Sequence, residues 1–309
     1  MKKDLGNSNR SLLSYFGLTI KGFCMGAADV VPGVSGGTMA FILGIYEELL
    51  ESIRSFDLQF LKLLSRFQIK DALNHTSWRF LTALFLGIFL AIFSLARILS
   101  WLLQDHPVLI WSFFFGLILA SVYTVGMHLQ KWTLPVLVWM FLGTVGSWFL
   151  VGLVPVNTPE SPWFIFISGA IAICAMILPG ISGSFILVLL GKYAYLLEAV
   201  NRRDFFPLIL AAAGAGIGLI TFVRCLNWLL KRYRDLTLAV LTGFMLGALR
   251  KVWPWKETLD TMTDSHGKVH IISEANTLPI QWNLEVTLAL CLAILGFLVV
   301  FFLNLRASK

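Results

Sequence analysis

Apolar residues fill most of this chain in long blocks, and polar residues collect in short gaps between them. A block of about 20 apolar residues predicts a helix long enough to cross a hydrocarbon core. The blocks predict spans near Phe80–Leu103, Val108–His128 and Leu134–Leu153, and again near Phe206–Leu230, Leu236–Trp253 and Val286–Leu305. Each set of three follows an apolar block that is interrupted. The first runs from about Leu12 to Val31, breaks at PGVSGG and resumes to about Ile53. The second runs from Trp163 to Leu178, breaks at PGISGS and resumes to about Ala199. The longest polar gaps, about Phe56–Ser77 and Lys256–Asn283, are too short to hold a second core.

The interruptions are one signature written twice. PGVSGGTMAFILGIYEELLE (Pro32–Glu51) and PGISGSFILVLLGKYAYLLE (Pro179–Glu198) align at an offset of 147. They share Pro32/Pro179, Gly33/Gly180, Ser35/Ser182, Gly36/Gly183, Gly44/Gly191, Tyr46/Tyr193 and Glu51/Glu198. Further along, at an offset of 127, Gly87 meets Gly214, Arg97 meets Arg224, Trp101 meets Trp228 and Gly116 meets Gly243. The smaller offset puts about 20 extra residues in the first half, in the Phe56–Ser77 loop. Each half is then one broken hairpin plus three spans. A hairpin adds no crossings if re-entrant and two if it spans, so each half crosses an odd number of times. The second half must enter from the opposite side. The expected fold is therefore all-α: a polytopic membrane protein of two inverted repeats, residues 1–153 and 163–309, joined by a 154–162 linker. The short hairpin arms favour re-entrant hairpins, with irregular backbone tolerated at depth because protein surrounds it. Their tips, Gly33 and Gly180, are expected to meet near the midplane.

Composition agrees with the bilayer. Hydrophobic residues make up 58% of the chain and charged residues 13%, a balance no soluble domain could bury. The net charge of +7 then reads as the positive-inside bias and attraction to anionic lipid, not as nucleic-acid binding. The face holding Lys62, Arg66, Lys70, Arg79, Lys131, Lys231, Arg232 and Arg234 is the richer one. It is expected to be cytoplasmic, with both termini there; Arg202 and Arg203 fall on the other face against the bias. The N-terminal MKKDLGNSNR has no small-residue cleavage site after it and reads as a retained tail.

A Pro-Gly break that opens a new helix suits an anion. Pro lacks an N–H, and Gly permits a tight backbone path. Pro32, Gly33, Pro179 and Gly180 make the breaks, and Ser35 and Ser182 are candidate N-caps. The first N–H groups of each following helix lack internal partners and, with the helix dipole, attract negative charge. Candidate phosphate-binding residues are Ser35, Gly36, Gly37 and Thr38 in one half and Ser182, Gly183 and Ser184 in the other. Tight Gly/Pro packing is the bland alternative.

Arg97 and Arg224 lie inside apolar spans, where charge marks function by default and Arg is a natural phosphate partner. They are expected to face the protein interior; snorkelling to the interface is the alternative. Asp29, which matches Met176 in the second copy, is a candidate for a coupling cation or proton; pairing with an Arg is the alternative. Glu47, Glu51 and Glu198 are further candidates for that role, although a solvated helix end explains Glu47, Glu48 and Glu51 equally well. Lys21 and Lys192, at hairpin ends, read as snorkelling side chains. Cys24, Cys174, Cys225 and Cys291 have no CxxC partner and read as small buried hydrophobes. Five histidines show no ligand spacing, so neither metal nor cofactor is expected.

At PGVSGGTMAFILGIYEELL and LPGISGSFILVLLGKY the chain resembles the family long labelled domain of unknown function 368, whose members are assigned as polyprenyl-phosphate translocases. The resemblance covers nearly the whole chain. It implies a transporter that returns undecaprenyl phosphate, or a related polyprenyl phosphate, to the cytoplasmic leaflet of the bacterial inner membrane for further cell-wall synthesis. Its partners would be that lipid and the bilayer, with no nucleic acid. The matching elements are Pro32–Thr38 and Pro179–Ser184; Arg97 and Arg224 come from the repeat instead. The alternative is a membrane undecaprenyl-diphosphate phosphatase, which also has inverted repeats, a PGxSRS element and ExxxE. EELLE, with Glu47 and Glu51, fits ExxxE. PGVSGGT lacks the Arg, and no His stands near either break, so acid–base hydrolysis lacks its groups. A small-anion or ion transporter using the same half-helix sites is the third reading.

Overall fold

The computed structural model describes residues 11–29, 35–156, 158–263, 269–279 and 281–307. The first interrupted block becomes α1 (Leu12–Asp29), α2 (Gly36–Ile42) and α3 (Tyr46–Arg54). Two short helices follow, α4 (Leu58–Ser65) and α5 (Ile69–His75), then the long α6 (Trp78–Asp105), α7 (Pro107–Gly126) and α8 (Leu134–Val151). The second block becomes α9 (Pro162–Ile177), α10 (Gly183–Leu189) and α11 (Tyr193–Arg202), followed by α12 (Phe205–Arg232), α13 (Arg234–Ala248) and α14 (Leu284–Ala307). Pro stands in the first turn of α7, α8 and α9, where its missing N–H costs nothing.

Among the described residues, four stretches are long and apolar enough to span a membrane: Trp78–Leu95 of α6, all of α7 and α12, and Leu284–Leu305 of α14. The α10–α11 pair, bent by 100° at its break, makes up to a fifth. Large apolar side chains cover much of the outer surface, with Phe85, Phe93, Phe141, Phe149, Ile209 and Ile294 exposed. Such a surface requires lipid as its solvent, so the protein is a multi-pass membrane protein. Two expected spans are shorter than predicted, α8 at 18 residues and α13 at 15.

Helix starts repeat along the chain. α2 and α10 begin 147 residues apart, as do α3 and α11; α6 and α12 begin 127 apart, as do α7 and α13. The difference is taken up by α4 and α5, in the loop where the extra residues were expected. The closest-packed pairs are α1–α6, α9–α12, α7–α14 and α8–α13. Gly22 and Gly87 let α1 and α6 touch backbone to backbone, against Leu84 O and Thr19 O. Gly169 and Gly214 do the same for α9 and α12, against Ala211 O and Phe166 O. Small residues at such contacts are the usual device for packing helices in lipid, where apolar surface gains nothing by leaving its solvent.

Ion pairs and hydrogen bonds define two ends of the bundle. At one end, Glu47 on α3 pairs with Arg234 at 3.2 Å and Glu51 with Lys231 at 3.5 Å. There too the Gln130 N–H donates to Asp235 Oδ1 at 3.4 Å. At the other end, Arg250 Nη1 donates to Trp148 O at 3.0 Å and the Val156 N–H to Leu189 O at 3.0 Å.

Among the described residues the regular elements are helical with one exception. The segment expected as a polar loop holds an antiparallel hairpin, β1 (Lys256–Thr263) and β2 (Val269–Asn276), in register Lys256↔Asn276 to Thr263↔Val269 with an irregularity around Asp260. Glu274 anchors it, pairing with Lys256 at 3.2 Å and Lys251 at 3.7 Å. Lys256 lies 4.7 Å from the Trp111 ring, and Trp253 Nε1 donates to Thr277 O at 2.7 Å. Burial pushes the Lys256 ammonium below its usual value, against the pull of Glu274.

Candidate functional site

The two breaks touch. Pro32 and Gly33 lie outside the described residues, so the first break is seen from Ser35 onward. Ser35 Oγ donates toward Met176 O at 3.1 Å and Leu178 O at 3.3 Å, in the last turn and cap of α9. The Gly180 N–H donates to Thr38 Oγ1 at 3.0 Å, and Tyr46 OH donates to Ile177 O at 3.2 Å. Ser35, Thr38 and Tyr46 are all buried. The chain folds this way locally for definite reasons. Pro179 cannot continue α9, and Gly180 sits at φ +91°, a region open to Gly alone at no steric cost. Gly37 lets α2 lie against the carbonyl of Ile177, which an added Cβ would meet at 2.5 Å.

The helix starts behind the breaks differ. At α2, Ser35 is the N-cap and its Oγ accepts from the Gly37 N–H at 3.1 Å. The Gly36 N–H donates to Asp29 Oδ1 at 2.7 Å, and the Thr38 N–H to Ser35 O at 2.9 Å. The first hairpin therefore supplies its own anion: Asp29 occupies the place foreseen for a ligand. At α10, Ser182 holds the N-cap position with extended backbone but makes no capping bond. Its hydroxyl lies 2.8 Å from that of Ser184, which is exposed. Gly183 is buried against Ala172 O. Met176 stands in this half where Asp29 stands in the first, and among the described residues no carboxylate caps the α10 N-terminus.

Other candidates fall elsewhere. Arg97 and Arg224 each stand twentieth in a 28-residue helix, α6 and α12. Both are exposed, which overturns the expectation that they face the interior. Arg224 lines a cavity of about 390 Å³ with Arg54, Asp57, Asn227, Trp228 and Lys231. Glu51 is tied to Lys231 across the α3–α12 contact, and Glu47 to Arg234 at the start of α13. Glu198 pairs with Arg202 one turn along its own exposed helix. Lys192 does not snorkel: it is 2% exposed, and its Nζ donates to Thr158 O at 2.8 Å. Lys21 Nζ likewise donates to a backbone carbonyl, Leu43 O at 2.9 Å. Cys24 and Cys174 are half-buried, but Cys225 and Cys291 are exposed on the outer surface rather than buried. Among the described residues no three His, Cys, Asp or Glu side chains gather as a metal site.

Sequence reasoning missed Tyr46 as a junction residue, although its match to Tyr193 marked it. It also missed Asn227, which is 5% exposed and whose Oδ1 has no hydrogen-bond partner among the described residues. A lone Asn in an apolar block was the available signal.

Comparison with known proteins joins this geometry to a family. The model of the undecaprenyl phosphate translocase-like family matches residues 25–270, which include both breaks and the helices around them. The chain belongs to this family. A relative from Vibrio cholerae, called polyprenyl-phosphate transporter, is 48% identical over 271 residues, 88% of each chain. A Staphylococcus aureus protein of the same name is 33% identical over 255 residues, 76% of this chain and 85% of its own. No solved structure matches this translocase-like chain.

Proposed function

We propose that this chain is a transporter that moves undecaprenyl phosphate, or a related polyprenyl phosphate, across the bacterial inner membrane. The observation that carries this reading is the bonded junction of the two hairpin breaks, Thr38 to Gly180 and Ser35 to Met176 and Leu178. A phosphate cannot enter hydrocarbon without polar partners, whereas a polyprenyl tail has no reason to leave it. Two polar breaks meeting inside a bundle with an apolar outer surface serve both ends of such a lipid. Family membership supports the choice of substrate.

Residues 1–153 and 163–309 act in this reading as inverted repeats about the 154–162 linker. The equal helix offsets support it, as do the exchanged pairs α7–α14 and α8–α13. α6 leaves the end that holds α5, while α12 arrives at that end with Lys231. That end also carries Lys62, Arg66, Lys70 and Lys131 and is taken as cytoplasmic, with both termini there. Asp29 then serves as the resident anion. Protonation, or capture of a cation, releases the Gly36 N–H so that the phosphate takes its seat. Ser182 and Ser184, with the uncapped start of α10, form the open half that receives the head group first. Glu47 and Glu51, each neutralised by a cation, are poor general bases, which favours transport over diphosphate hydrolysis.

The test is labelled polyprenyl phosphate in proteoliposomes, followed by leaflet, beside phosphate release from the lipid diphosphate. The wild type should flip the lipid and release no phosphate. The Ser182→Ala, Ser184→Ala double variant should flip at least several-fold more slowly. Wild-type flipping in that variant, stably folded, would remove these serines from the route.

A further inference from the structure

We infer that the protein has a second phosphate station at the Lys231 end of the bundle, built by Arg54, Arg224 and Lys231 beside Trp228. The inference rests on the transport reading and adds to its route. Two cavities meet here and share Asn227 and Lys231. One, of about 390 Å³, is lined by Arg54, Asp57, Arg224, Asn227, Trp228 and Lys231. The other, of about 210 Å³, is lined by Glu47, Leu50, Glu51, Asn227, Leu230, Lys231 and Arg234.

The charges around this space do not cancel locally. Four cations face three carboxylates, and each carboxylate already has partners. Glu47 is 3.2 Å from Arg234, and Glu51 is 3.5 Å from Lys231. Asp57 is 3.0 Å from His75 Nε2 and accepts the N–H groups of Gln59 and Phe60, each at 2.9 Å. Arg54 and Arg224 make no ion pair among the described residues. Two guanidinium groups lining one cavity, with its carboxylate Asp57 already engaged elsewhere, suit a phosphate monoester. Asn227 adds a polar group to the shared wall: it is 5% exposed, and its buried Oδ1 has no partner among the described residues. An orphaned acceptor of this kind in an apolar helix calls for a donor, such as a water bridging it to a head group held by the arginines.

Geometry also favours a lipid as the source of the phosphate. Trp228 is 58% exposed on α12, beside the cavity, and the apolar face of that helix is open along Ile209 and Ile217. A head group held at Arg224 leaves its chain against this face, in lipid. The station thus lies where a phosphate released from the hairpin junction would come to rest on the Lys231 side, or where one would wait to enter.

The test uses the full chain in phosphatidylcholine nanodiscs and three probes: farnesyl phosphate, farnesol and inorganic phosphate. Arg54→Gln and Arg224→Gln should each weaken farnesyl phosphate about ten- to hundredfold, the loss expected for one charge-assisted contact. Arg66→Gln, an exposed cation outside both cavities, should change it less than twofold, and farnesol should not respond to any variant. Inorganic phosphate that binds as tightly as farnesyl phosphate, and weakens with the same two variants, would assign the station to free phosphate rather than lipid. Unchanged farnesyl phosphate affinity in both variants, or an equal loss in Arg66→Gln, overturns the station. Leaflet-resolved flipping by the wild type, read in parallel, separates the two ideas. A wild type that flips while Arg54→Gln and Arg224→Gln bind normally defeats the station alone. A wild type that binds through these arginines but does not flip defeats the transport reading alone.

Discussion

Gly37→Ala places a methyl group where the second hairpin's backbone already stands. The new Cβ would lie 2.5 Å from Ile177 O and 3.2 Å from Met176 O. Real Cβ atoms do not come within 3.0 Å of a neighbour, and ordinary contact begins at 3.4 Å. A backbone carbonyl cannot swing aside as a flexible side chain can. The two breaks must therefore part by about 0.5 Å at least, and by about 0.9 Å for an unstrained contact. The bonds across the junction begin at 3.0 to 3.3 Å. A uniform parting of that size carries both Ser35 bonds and the Tyr46 bond beyond the ~3.5 Å at which a hydrogen bond is lost. Overpacking alone costs about 1–3 kcal/mol, and each lost bond about 0.5–1.5 kcal/mol. These overlap, so the expected loss of stability is about 2–4 kcal/mol. Thermal unfolding of the detergent-solubilised protein should record it, and lipid flipping should fall at least tenfold because the junction no longer closes. Gly216→Ala is the matched control: nothing stands within 4 Å of its Cβ, and it lies in α12. That change should be neutral or stabilise by up to about 1 kcal/mol, the helix preference of Ala over Gly. A Gly37→Ala protein that melts and flips like the wild type would refute the close approach itself.

Thr38→Val should strand the buried Gly180 N–H and cost about 1–3 kcal/mol, whereas Thr38→Ser, which keeps the oxygen, should stay near wild type; equal melting of the two would deny the bond its role. Lys192→Met should leave Thr158 O without its donor and loosen the linker after α8, seen as faster proteolytic cleavage near residues 154–162; unchanged cleavage would argue that the linker is held by other contacts. Desolvation pushes the Asp57 carboxyl up, but the Phe60 N–H, His75 and the Gln59 N–H together outweigh it and hold it below its usual 3.8. Its contribution is thus present above pH 3.8 and lost as pH falls below that value; carboxyl NMR should show it titrating low, and moving up in His75→Gln, while a value at or above 3.8 in the wild type would contradict the geometry.

Much of this architecture is legible in the chain. Block length and apolarity announce helices in lipid, because a bilayer demands about 20 apolar residues and internal hydrogen bonds wherever the chain crosses. The duplicated PGxSG breaks and the offsets of 147 and 127 placed the helix starts of both halves, and the Phe56–Ser77 surplus became α4 and α5. Those features depend on local order along the chain, so reading the chain recovers them. The β1–β2 hairpin was not recovered, since its alternation is short and its hold comes from Glu274 meeting Lys251 and Lys256.

What the tertiary structure alone decided is who meets whom. Repeat symmetry made Ser35 and Ser182 equivalent, yet Ser35 bonds across the junction while Ser182 turns to Ser184. The matched N-termini of α2 and α10 differ because Asp29 folds back on one of them, and no spacing rule tells a carboxylate whether to face a ligand or its own helix. Arg97 and Arg224 occupy matched positions, but Arg224 lines a charged cavity because α3 brings Arg54, Glu47 and Glu51 to that end of α12, company that the repeat does not specify. A repeat copies residue types at fixed intervals. Charge and hydrogen bonding act across a few ångströms of space, and the partners at that distance come from parts of the chain that the interval does not relate.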